Sequence, residues 1–285
     1  LKYWVRSKND DLKVIPTDSI VMKVDKEAVR RSGMMIPGDS IPDYMHISLK
    51  GKRALYKSEL MMLEMLAEAN WERPIYMAVS VGTENHLGMG NHFVQEGLTY
   101  RFTPFDTEKT GIKLDSEKMY DNLMNKFKFG GIDKEGIYID ENAMRMCYSH
   151  RRIFSQLIGQ LIREGKTDKA KAALEYAEKM IPAYNVPYDW QNGAMQMAEA
   201  YYQLGEKEKG DNIMKALADK AVEYLTWYLS LDDQRFAMSS HEVVDYQLPI
   251  LSTEVKLMQK YNSELAPVYD SKLNELYQMC VDRMK

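Results

Sequence analysis

The sequence predicts an α+β protein: a small α/β unit over residues 1–139, then an all-α array of helical hairpins over 140–285. Three observations carry this. Strand-like and helix-like apolar patterns interleave before residue 140. After it the apolar spacing is helical throughout. Within that stretch, two segments repeat each other at a period close to a known helical-hairpin unit.

The elements follow in order. Residues 19–24 (SIVMKV) read as a strand. Gly33, Pro37, Gly38 and Pro42 make 33–43 a loop, and 44–49 alternates as a short strand. A helix starts near Arg53, with Leu55, Leu60, Leu63, Leu66 and Ala67 as its apolar stripe and Asn70 as its end. Residues 75–81 form the most apolar strand pattern, which predicts a central strand covered on both faces. Residues 82–90 read as a polar surface loop, 93–98 as a helical turn or two, and 99–103 as a strand stopped by Pro104. Asp115 caps a helix reaching Phe127, and Gly130-Gly131 ends that segment.

Residues 140–164 then form one long helix, with later breaks at Gly165, 182–187, Gly205 and 232–240. Windows of 34 residues starting at Arg151 and Gln191 align. The first holds Phe154, Leu157, Ile158, Leu161, Gly165, Ala170, Leu174, Ala177 and Pro182 at the positions diagnostic of a tetratricopeptide repeat. The second keeps the small and large pattern but lacks the closing proline. Gly165 and Gly205 permit tight turns, Thr167 or Asp168 caps the second helix, and about six extra residues sit within 184–190. The last helices carry Val243, Tyr246, Leu251, Val255, Met258 and Tyr261, then Leu273, Leu276, Tyr277 and Cys280. They are expected to close the array, with a kink or a start at Pro249.

Composition limits function. Thirty-eight basic residues against 42 acidic give a net charge of −4, so the electrostatic footprint of a nucleic-acid binder is missing. No apolar run approaches the ~20 residues that span a bilayer. Cys147 and Cys280 lie in helical patterns and are expected as buried thiols, with pairing in an oxidising compartment as the alternative. Met is frequent, with 21 residues, and in Leu60-Met61-Met62-Leu63-Glu64-Met65-Leu66 it is expected to fill core gaps.

No hydrolase, zinc-protease, phosphate-loop or dinucleotide motif occurs, so no catalytic residue, metal or cofactor is assigned. His86 and His92, with Glu84 and Glu96 nearby, are the alternative: a sugar- or metal-binding or catalytic module on the 84–96 loop. His150, Arg151 and Arg152 are expected in solvent, and His241 as a helix cap. Aromatics crowd the second hairpin, at Tyr184, Tyr188, Trp190, Tyr201, Tyr202, Tyr224, Trp227 and Tyr228, and suggest a binding surface. If the first helix of each hairpin lines a groove, its exposed positions are Arg152, Ser155, Gly159 and Ile162, then Asn192, Met195, Glu199 and Tyr202. They are the candidate contacts for a protein or glycan-linked partner.

Three segments carry a resemblance: Lys57-Ser58-Glu59-Leu60-Met61-Met62-Leu63-Glu64-Met65-Leu66, Asn70-Trp71-Glu72-Arg73-Pro74-Ile75-Tyr76-Met77-Ala78 and Met119-Tyr120-Asp121-Asn122-Leu123-Met124-Asn125-Lys126-Phe127-Lys128. With Gly97-Leu98-Thr99-Tyr100-Arg101 they resemble the C-terminal part of a Bacteroidota family of large polytopic membrane proteins of unknown function, likened to protein O-mannosyltransferases. The resemblance covers most of residues 1–150. It implies a soluble, periplasmic portion of an inner-membrane protein whose presumed catalytic acids lie in the membrane part. Leu1 in place of Met agrees with such a piece. The expectation is therefore a non-catalytic interaction domain of a membrane glycosyltransferase-like protein.

Overall fold

A computed structural model describes residues 17–38, 40–52 and 54–285. Arg53, the expected helix start, and Leu1 lie outside them. The chain divides into two compact units, Leu1–Asn122 and Leu123–Lys285.

In the first unit, β1 (Ser19–Lys23) and β2 (Tyr44–Ser48) pair antiparallel, from Ser19 opposite Ser48 to Lys23 opposite Tyr44. Between them lies α1 (Lys26–Arg31), capped by the Asp25 carboxylate, which accepts from Ala28 N at 3.0 Å. Helix α2 (Lys57–Ala69) buries Leu63, Leu66 and Ala69. Its stripe differs from the expected one, since Ala67 is exposed and Leu55 and Leu60 are only half-buried. Asn70 ends it in the left-handed region at φ 42°. Trp71 then turns inward, donates from Nε1 to Lys23 O at 2.9 Å and stacks on Phe102 at 5.4 Å.

The second sheet has the order β3-β5-β4, with β3 Tyr76–Ala78, β4 Phe93–Gln95 and β5 Thr99–Phe102, all antiparallel. This corrects two expectations. The 75–81 segment supplies an edge strand, not the central one. Its burial alternates, with Ile75 and Met77 half-buried and Tyr76 and Ala78 exposed, so a single face is covered. The central place goes to β5, which pairs with β3 on one side and, across a tight turn at Gly97 (φ 140°), with β4 on the other. Residues 93–95, expected as a helical turn, are the strand that this hairpin requires. Helix α3 (Thr107–Thr110) follows, then α4 (Ser116–Asp121), whose Asp115 cap accepts from Lys118 N at 3.0 Å. A π turn over Asn122–Lys126 continues it.

The second unit is helical: α5 (Glu141–Arg163), α6 (Thr167–Met180), α7 (Ala194–Gln203), α8 (Lys207–Ser230), α9 (Asp233–His241), α10 (Leu248–Lys260) and α11 (Ala266–Arg283). Asp140 caps α5 by accepting from Ala143 N at 2.9 Å. The two hairpin turns are built alike. Lys166 N donates to Leu161 O and Gly165 N to Ile162 O; likewise Glu206 N donates to Tyr201 O and Gly205 N to Tyr202 O. In both, a glycine at φ 72° or 80° takes the left-handed position. Thr167 and Asp168 do not cap α6; the cap residue is Lys166, without a side-chain bond. Small residues let the helices close: Ala170 is fully buried, and a Cβ on Gly210 would stand 2.7 Å from the Tyr202 ring.

The expected break at 232–240 is a helix, because the Asp232 carboxylate accepts from Arg235 N at 3.0 Å and starts α9. A π turn over Glu242–Gln247 runs into α10 with helical backbone throughout, and Pro249 stands in the first turn of α10. His241 ends α9 and pairs with Glu242 at 3.2 Å. Cys147 and Cys280 are buried free thiols, pushed up in pKa by burial.

Arg151 is not in solvent. It is 1% exposed and donates to Ile181 O at 2.8 Å, Val186 O at 2.6 Å and Pro187 O at 3.0 Å, with its guanidinium 5.0 Å from the Tyr188 ring. Desolvation lowers its pKa to about 10, and it stays charged at neutral pH. His150 is half-buried, edge-on to Phe127 and Phe129.

A candidate interaction groove on the helical array

Helices α7 and α10 form the walls of an open groove of about 300 Å³. Met195, Gln196 and Glu199 line it from α7, and Thr253, Lys256, Leu257 and Lys260 from α10. The α10 residues fall at i, i+3, i+4 and i+7, one face of a helix. Glu199 accepts from Lys260 Nζ at 2.7 Å and from Tyr261 Oη at 3.2 Å, and this contact raises the Lys260 pKa. Gln203 Nε2 donates to the same Tyr261 hydroxyl at 3.2 Å. Lys256 is exposed and has no ion-pair partner among the described residues. The groove thus has an apolar floor, one neutralised ion pair and one free cation.

Of the eight residues named from the sequence, Met195 and Glu199 line this groove. Arg152 is exposed, and Gly159 and Ile162 are half-buried on the preceding first helix, α5. Ser155, Asn192 and Tyr202 are buried, which corrects their expected exposure. Ser155 lies where α5 meets Gly193, whose absent Cβ would stand 2.4 Å from Ser155 Oγ. Asn192 shapes the start of α7, donating to Pro187 O at 2.9 Å and accepting from Ala194 N at 3.2 Å. Tyr202 stacks on Tyr261 at 4.9 Å and donates to Asp211 at 2.7 Å, so it braces the groove wall from behind. Sequence reasoning missed the α10 wall because its apolar stripe drew attention to the opposite face. The signal was the polar spacing Thr253, Lys256, Lys260.

The crowded aromatics separate into two groups. Tyr201 is buried with its hydroxyl on Glu178 at 2.5 Å, and Tyr188 donates to the same carboxylate at 3.2 Å. Tyr184, Trp190, Tyr224 and Trp227 stay exposed.

The 84–96 loop is not a polar surface loop. Two short 3-10 turns fold it inward, with Leu87 and Met89 each 1% exposed. His86 and His92 are buried as well, His86 tilted against Phe93 at 5.1 Å and His92 near Phe102 at 6.5 Å. Burial lowers the His92 pKa. Glu84 remains exposed. Glu96 is committed elsewhere: Lys118 Nζ lies at 3.2 Å, Tyr76 Oη donates at 3.2 Å and Arg101 Nη1 lies at 3.8 Å. Among the described residues no group of three or more His, Cys, Asp or Glu is placed to hold a metal ion.

Fold and groove together define an α+β chain that ends in a helical-hairpin array with an open trough between helices. Among the described residues no helix is long and apolar enough to cross a membrane. Residues 2–122 match the family model described as TMEM260-associated domain 2, and the match ends where the first compact unit ends. No curated protein and no solved structure matches the chain.

Proposed function

We propose that residues 140–285 form a tetratricopeptide-like, non-catalytic interaction module that holds a protein or glycan-linked partner in the groove between α7 and α10. The observation that carries this reading is the groove itself, lined by Met195 and Glu199 on the helix face assigned to partner contact. The equivalent turns at Gly165 and Gly205 support the repeat character. The match of residues 2–122 to a TMEM260-associated domain supports membership in a membrane-associated protein. We place the chain at the periplasmic side of an inner membrane, as part of a membrane glycosyltransferase-like parent.

A photo-reactive amino acid placed in turn at Met195, at Lys256 and at the exposed Glu208 of α8 tests the groove. Irradiated in envelope extract, the first two positions should give an adduct of one common mass that Glu208 does not give. Lys256→Glu should abolish the Met195 adduct. Adducts that are equal at all three positions, or that survive Lys256→Glu, refute the reading.

A further inference from the structure

The methionine-rich segment of α2 does not serve only the core. Leu63 and Leu66 point inward, but Met61 and Met65 are 56% and 57% exposed. With Glu64 and Glu68 they occupy i, i+3, i+4 and i+7, a single face of α2. The segment Arg73–Ile75 forms the facing wall, and between them lies an open trough of about 410 Å³. Neither carboxylate is in an ion pair among the described residues, and the one cation of the trough, Arg73, is exposed and unpaired too. The trough therefore has a soft, polarizable floor and an excess of negative charge at its rim.

We infer that this trough binds a basic amphipathic helix of a partner, its apolar side chains on Met61 and Met65 and its Lys or Arg residues on Glu64 and Glu68. Three arguments select that occupant. Flexible thioether side chains adapt to apolar surfaces of varied shape. A helix lying in a groove presents anchors at i, i+3, i+4 and i+7, matching the spacing of the receiving face. The charge at the rim complements a cationic segment and opposes an acidic one. The inference concerns the first unit and stands apart from the groove between α7 and α10.

The test uses the full chain and two synthetic 18-residue helical peptides with one leucine stripe, one peptide bearing lysines on its polar face and the other glutamates. Fluorescence anisotropy should show saturable binding of the lysine peptide, weakened at least tenfold by Glu64→Lys combined with Glu68→Lys. These positions are exposed, so the fold should persist. Glu208→Lys with Glu223→Lys, the same charge change at exposed positions of α8, should leave binding within twofold. In methyl spectra of the full chain, the peptide should shift the Met61 and Met65 signals, assigned by Met→Leu replacement. Equal binding of the glutamate peptide would overturn the proposal in favour of a purely apolar occupant. A dimer in sedimentation that the lysine peptide dissociates but charge reversal leaves intact would overturn it in favour of a second copy. Equal weakening by the α8 pair, or no binding of the lysine peptide, would overturn it outright.

Discussion

Glu254 is 1% exposed in the middle of α10, and its Oε2 has no hydrogen-bond partner. Desolvation, with a smaller contribution from the negative charge of Asp189, raises its pKa from 4.5 to about 8. The native state therefore holds a proton that the unfolded chain releases near pH 4.5. Between these values the native form binds more protons than the unfolded one, so stability falls as pH rises from about 4.5 to about 8 and then levels. At 1.36 kcal/mol per pH unit, the loss reaches about 3 kcal/mol by pH 7 and about 5 kcal/mol above pH 8. In Glu254→Gln the side chain keeps its shape and has no proton to lose. Any fixed cost of the amide is the same at every pH, so the slope isolates the carboxyl. For a unit of this size, about 3 kcal/mol corresponds to roughly 6–12 °C in Tm. Thermal unfolding followed by circular dichroism from pH 4.5 to 8 should show the Tm of the glutamine variant minus that of the parent rising by that amount between pH 4.5 and 7. A difference that stays flat would show that Glu254 is ionised in the native state and refute the argument.

Other expectations follow from the same structure. Arg151→Met leaves the buried carbonyls of Ile181 and Val186 without their donor and Pro187 O with Asn192 alone and should cost about 3 kcal/mol or more, read as a lower urea midpoint and faster proteolysis within 181–190. Gly193→Ala meets both a φ of 80° and a contact of 2.4 Å with Ser155 Oγ. It should destabilise by at least about 2 kcal/mol, and Ser155→Gly in the same chain should restore part of that. Leu87→Ala should cost about 2–5 kcal/mol, since its side chain is a core element; an effect below about 0.5 kcal/mol by chemical denaturation would return the loop to the surface. Glu199→Gln breaks only a solvent-screened pair with Lys260 and should change stability by less than about 1 kcal/mol, which makes it a clean probe of the groove.

The elements that were legible in the sequence are those whose signals are local. Asp140 before a strict helical pattern gave α5, and Gly165 and Gly205 gave two turns with the same bonds. The errors arose where tertiary pairing decides. The apolar run 75–81 looks central by composition, but its strand pairs with β5 alone, and β5 has β4 on its other side, so the run stands at the edge. His86 and His92 suggest a polar loop until Leu87 and Met89 between and beside them are seen to fill the core. At the groove, the α7 wall followed from the repeat. Lys256 and Lys260 did not, because the last helices match no repeat pattern that would have assigned their face.

The three carbonyls gathered by Arg151 also bear on how the molecule opens. The segment 181–187 has only a few backbone bonds of its own, and side-chain bonds hold it: Arg151 from the centre of α5, with Tyr184 and Asn185 reaching residues 132–134. Its order is borrowed. Such a segment cannot loosen alone without stranding a buried cation, so it should exchange its amide hydrogens with α5 rather than at the rate of a free connection. The length inserted between the two hairpins thus becomes part of the cooperative unit, tied to α5 through Arg151 and to residues 132–134 through Tyr184 and Asn185.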